Sequence, residues 1–240
     1  MAAKLTSISK QIHWSSLIRA AIFAFAWWYL PAWLFFLVAW GIYFSPPFES
    51  RKNMPPFLVL LGVALATPPT LLMAAIYGVL CYYLFLIKDL LVIDRKSART
   101  MLAMALSFFL FREFFLAWPA GLSAGALVWA WVVAIAFGAL ANGVIAARRG
   151  IEINDEHSRS SRRAAIGVSA LFLFEILVAC LFLPVDFIYQ SVIAFLAAAL
   201  LLDLVPAYFF RELEPRRIRV TAMVTAALLV VALASAKWGI

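Results

Sequence analysis

Apolar residues run along this chain in long blocks, interrupted by prolines and by short charged stretches. The segment from Ser97 to Arg149 shows the plan. One apolar run meets a tight break at Trp118-Pro119-Ala120-Gly121, and a second ends at Arg148-Arg149. The runs are too long and too uniform for the alternating strands of a membrane barrel, which take about ten residues each. Each suffices to cross the hydrocarbon layer as a helix, which needs about 20 residues. The pattern predicts a transmembrane helical hairpin, and the rest of the chain repeats it.

Taken in order, residues 1–13 form a basic segment. Leu5, Ile8 and Ile12 recur at helical spacing, so it reads either as a short interfacial helix or as a frayed tail. From residue 14 the chain reads as a single transmembrane helical domain. Trp14 to Phe44 is one apolar run of about 31 residues, well beyond one span. Pro31, within Trp27-Trp28-Tyr29-Leu30-Pro31, divides it into helices over 12–30 and 31–45, because proline breaks helical hydrogen bonding. A short apolar helix follows at 56–67, then spans at 70–93, 98–118, 121–147, 164–183, 185–210 and 218–237. The fold class is all-α: a polytopic membrane bundle of about nine helices, built from hairpins with tight proline turns.

The connections alternate between two kinds. Turns at 29–31, 67–70, 118–121 and 183–186 contain proline and no Lys or Arg. Those at 46–54, 88–97, 148–163 and 211–219 all carry basic residues. The positive-inside rule then puts the N-terminus in the cytoplasm, and the proline turns and C-terminus outside a cell (inner) membrane. A rival reading has seven spans, with residues 14–44 as one kinked helix and 56–67 re-entrant. It keeps both termini in place but puts Arg51 and Lys52 outside.

Composition agrees. The 240 residues are 66% hydrophobic and 13% charged, about half the charge of a soluble domain. A formal charge of +8 invites nucleic acid as a partner, but the cations lie between spans, where membrane topology accounts for them. The basic cytoplasmic loops suit anionic lipid headgroups. Cys81 and Cys180 fall within spans and read as small apolar residues.

Charges inside a membrane are expensive and mark sites by default. Five qualify: Arg19, Arg112, Glu113, Glu175 and Asp203. Counting ~1.5 Å per residue from the outer turns puts Glu113 ~8 Å deep, Arg112 ~9 Å, Glu175 ~12 Å, Arg19 ~17 Å and Asp203 ~27 Å. The shared depth predicts an Arg112–Glu175 pair between hairpins, which either lines a path or fixes packing. Glu113 points about 100° from Arg112 and needs another partner. Ala134, Gly138 and Asn142 form a small or polar stripe, with Asn142 placed to hydrogen-bond across a helix interface. Lys88, Asp89, Asp94 and Arg95 read as an interfacial charge network.

Two patterns look like chemistry. Gly121-Leu122-Ser123-Ala124-Gly125 matches the serine-hydrolase elbow, but it opens a membrane helix, and His13 and His157 lie on the other side. Close helix contact at the glycines explains it better. Asn154-Asp155-Glu156-His157 lacks a second ligand group and reads as a solvated loop. No catalytic, cofactor or metal signature is found. The expectation is a non-enzymatic transporter or channel component for a small solute or ion. The alternative is a structural or assembly subunit bound to a membrane protein partner or to copies of itself. A lipid-directed enzyme stands third, without a readable catalytic set.

Overall fold

The structure is a computed structural model. It describes residues 13–45, 53–88, 94–119, 122–148, 156–209, 214–236 and 238, with backbone only at 95, 96, 147, 148, 156–159, 209 and 217. The expected interfacial segment at the N-terminus, the loop carrying Arg51 and Lys52, Asp89 and Gly121 lie outside the described residues, as do Asn154 and Asp155.

Nine α-helices appear among the described residues: α1 (Trp14–Tyr29), α2 (Ala32–Phe44), α3 (Met54–Ala66), α4 (Leu71–Lys88), α5 (Arg95–Ala117), α6 (Ala124–Arg148), α7 (Glu156–Leu181), α8 (Phe187–Phe209) and α9 (Pro215–Ser235). Six of them contain apolar stretches of 18 to 23 residues, long enough to cross a membrane. The protein is an all-α, polytopic helical bundle. It divides into two compact units, Met1–Ala98 and Arg99–Ile240.

Proline marks three of the helix boundaries. A residue before proline is pushed out of the helical region by the pyrrolidine ring. Leu30 (φ −93°, ψ 148°), Thr67 (φ −87°, ψ 135°) and Glu214 (φ −83°, ψ 135°) are all extended and all precede a proline. Four other helix starts carry a polar side-chain cap. Thr70 Oγ1 accepts from the Met73 N–H, Asp94 from Ser97, Ser123 Oγ from Ala126, and Asp186 from Ile188.

Proline also lacks an N–H, so the carbonyl four residues earlier loses its helical donor. At two turns the preceding N–H bonds one residue short: Trp118 donates to the Phe115 carbonyl at 3.3 Å and Leu183 to the Cys180 carbonyl at 3.1 Å. In the first unit, long side chains do this work. The Ala64 carbonyl would accept from the N–H of residue 68, which is proline, and the Trp27 indole Nε1–H donates to it instead at 2.6 Å. Tyr43 stands in the same relation to Pro47, and Lys88 Nζ donates to its carbonyl.

These contacts define the first unit. Phe23 packs edge-on against Phe35 at 5.1 Å, so α1 and α2 fold back as a hairpin rather than forming one long kinked helix. α1 lies antiparallel to α4, with Trp27 on Tyr77 and Arg19 near Phe85. The approach is close because Gly78 faces Ala24. A Cβ there would lie 3.2 Å from the Ala24 methyl. α3, 13 residues and about 20 Å long, starts with Phe57 stacked on Tyr43 and ends with Ala64 on Trp27. It therefore runs from one end of this unit to the other.

In the second unit, α6 packs antiparallel to α7. Trp131 stacks on Phe174 at 4.3 Å, and Gly138 meets Ala170 and Ile166. α8 lies against α6, α7 and α9. α5 meets α6 through Phe111–Phe137 and α8 through Phe108–Phe195. The Val185–Trp238 bridge and a 2.9 Å bond from Tyr189 Oη to the Ser235 carbonyl fasten the end of α9 to the turn before α8.

One boundary differs from expectation. The polar segment 148–163 is read from the sequence as a loop, yet α7 begins at Glu156. Its residues are fair helix formers, and Arg162 is anchored to α6.

Candidate functional site

The site is built on α5 and α8 of the second unit. Arg112 and Glu113 sit in the last turns of α5, where Arg112 Nη1 binds Glu113 Oε1 at 2.5 Å. Glu113 is buried and Arg112 a quarter exposed. Adjacent helical residues diverge by about 100°, so the long arginine side chain curls around the helix to meet the shorter glutamate. The pair is neutral as a whole, which lowers the cost of holding either charge away from water.

The expected Arg112–Glu175 pair does not form. Phe174 takes the α6-facing position on α7 through its stacking on Trp131, which turns Glu175 to the exposed side of the helix. Depth is shared, but direction is not. Among the described residues, Glu175 makes no hydrogen bond or ion pair.

Two further buried polar side chains, Gln190 and Ser191, lie near the start of α8. The Phe108–Phe195 contact sets the register between α5 and α8, which run antiparallel. One helical turn from it, toward the proline turns, Arg112 comes level with Ser191 and Glu113 with Gln190. Both α8 residues are buried. Gln190 Nε2 donates to the Leu183 carbonyl at 3.1 Å, and Ser191 Oγ to the Phe187 carbonyl at 2.6 Å. Sequence reading misses Gln190 and Ser191 because uncharged residues at a helix start resemble turn chemistry. Their proximity to the turn at 183–186 and their spacing from Asp203 are the only sequence signals.

The other candidates lie elsewhere. Arg19 belongs to the first unit, where Nη2 donates to Ser15 Oγ at 2.5 Å and the guanidinium stands 5.5 Å from the Phe85 ring centre. Asp203 faces α9, accepting from Thr221 Oγ1 at 3.4 Å. Within the second unit the structure thus joins Arg112 to Glu113 and turns Glu175 and Asp203 elsewhere.

Three further polar residues have defined roles. Lys88 is fully buried, with its ammonium 4.3 Å from the Tyr43 ring centre, although its place at a span end suggests an exposed anchor. Pro47 is the signal that marks an acceptor for it. Asn142 accepts from Arg162 across the α6–α7 interface through both its side-chain and backbone oxygens, as the stripe on α6 predicts. Ser123, within the hydrolase-like pattern, is the cap of α6, accepting from the Ala126 N–H at 3.1 Å. Among the described residues no cluster of three His, Cys, Asp or Glu side chains is present.

Compared with known protein families, with characterised proteins and with solved structures, the chain matches none.

Proposed function

We propose that this protein is a non-enzymatic transporter or channel component for a small solute or ion. We place it in the cell (inner) membrane with the N-terminus cytoplasmic and the proline turns and C-terminus outside. The observation that carries the reading is the Arg112–Glu113 ion pair near the end of α5, with the Glu113 carboxylate buried. A charged pair in a lipid-embedded bundle is costly, and such groups normally face a path for ions or polar solutes. Here a carboxylate and a guanidinium lie together on α5, and an amide and a hydroxyl lie buried near the start of α8. Together they offer both donors and acceptors to a small polar species.

The course of α3 from end to end of the first unit supports the nine-span topology over the re-entrant one. The test of function is flux. Purified protein in liposomes is assayed with dyes for protons, potassium, sodium and chloride, and with labelled amino acids and sugars. The reading expects protein-dependent flux of one species that Glu113→Gln reduces at least tenfold, while Val224→Ala on exposed α9 leaves it unchanged. Flux no greater than in empty liposomes across the panel would overturn it.

A second reading, a subunit of a membrane complex, is favoured by one observation: Glu175 is exposed on an apolar helix and has no ion-pair partner among the described residues.

A further inference from the structure

Glu175 lies about 9 Å from the end of α7 at Leu181. A glutamate side chain is too short to carry its carboxylate from there to the headgroups, as a lysine or arginine can. It sits within the apolar stretch Ser160–Leu181. Around it, at helical spacing, Val168, Leu171, Phe172 and Phe182 are all exposed. The face is also smooth near its other end, where a Cβ on Gly167 would meet nothing. Small residues of this kind let a second helix approach closely in lipid.

An unpaired carboxylate facing hydrocarbon is costly. The opposite charge on a neighbouring helix removes that cost. The arginine at the same depth in this unit cannot serve, since Arg112 is turned to Glu113. A second copy docking through the same face is also excluded by charge. A two-fold axis there would set one Glu175 against the other.

We propose that the Glu175 face of α7 docks a transmembrane helix of a different protein, one that carries a lysine or arginine at matching depth. This rests on the subunit reading and is independent of solute flux. The carboxylate provides the pairing, and Leu171, Phe172 and Phe182 provide the packing around it.

The test uses the full-length chain in its own membranes, with a photoreactive phenylalanine analogue replacing Phe172. Irradiation should yield one dominant adduct, whose crosslinked peptide lies in an apolar span within one turn of a Lys or Arg. Glu175→Leu should reduce that adduct at least tenfold. A charge exchange, Glu175→Lys with an acidic residue at the partner's basic position, should restore it. Both variants are first shown to extract as monodisperse, helical protein. Adducts to lipid alone, adducts to a second copy, or yields indifferent to Glu175→Leu each overturn the proposal. If the mass of the extracted complex is unchanged by Glu175→Leu, the subunit reading stands and only this docking face fails.

Discussion

Replacing Trp27 with phenylalanine isolates one bond. The indole N–H is the donor to the Ala64 carbonyl, whose helical partner is deleted by Pro68. Trp27 is buried at 6% exposure, and its ring meets Tyr77 edge-on at 5.1 Å. Phenylalanine keeps most of the aromatic contact and removes the donor. A buried group left without its partner costs about 1–3 kcal/mol. The smaller ring adds about 1 kcal/mol of lost packing. The expected loss is therefore about 2–4 kcal/mol. The neighbouring Trp28 is 38% exposed and serves as control. Trp28→Phe should cost less than about 0.5 kcal/mol. Reversible unfolding in bicelles, read by steric trapping, measures both. A double-mutant cycle with Pro68→Ala sharpens the result, because alanine restores the missing N–H and should roughly halve the effect of Trp27→Phe. Equal losses for the two tryptophans, or no coupling to Pro68, would refute the idea that side chains replace donors that proline removes.

Three other outcomes follow from the packing. Arg112→Leu alone should destabilise the protein by about 1–3 kcal/mol, since it removes the ion pair of the buried Glu113 carboxylate. Arg112→Leu with Glu113→Leu should be nearly neutral, and chemical denaturation of single and double variants compares them. Gly78→Val should cost about 1–3 kcal/mol by pressing on Ala24, visible as a lowered Tm. Ser123→Ala should cost about 1 kcal/mol through loss of the α6 cap. A fluorophosphonate probe should label neither it nor the parent protein.

Much of the architecture can be read from the chain because hydropathy and proline act locally. The extended conformations of Leu30 and Thr67 follow from the residue after them, so the turns at Pro31 and Pro68 are legible one position at a time. What lies across a helix is not. Hydropathy gives the depth of Glu175 but not its direction, which the Trp131–Phe174 stack decides. Trp27 and Trp28 look alike as interfacial aromatics, yet only one faces Tyr77. Lys88 ends a span, as a cytoplasmic anchor would, and is instead drawn inward by an acceptor 45 residues earlier. Helix rotation about its own axis is a tertiary property, and it separates the sites that depth alone would join.

The central claim is a hairpin bundle with its proline turns on one side of the membrane and its basic segments on the other. The native cysteines favour a labelling test, since Cys81 and Cys180 are both buried. Single cysteines at Ser123, beside a proline turn, and at Ser160, in the basic half of α7, are treated with a membrane-impermeant maleimide in intact cells. The account predicts reaction at Ser123 and none at Ser160 until the membrane is opened. Labelling of Ser160 in intact cells, or protection of Ser123 there, would contradict it.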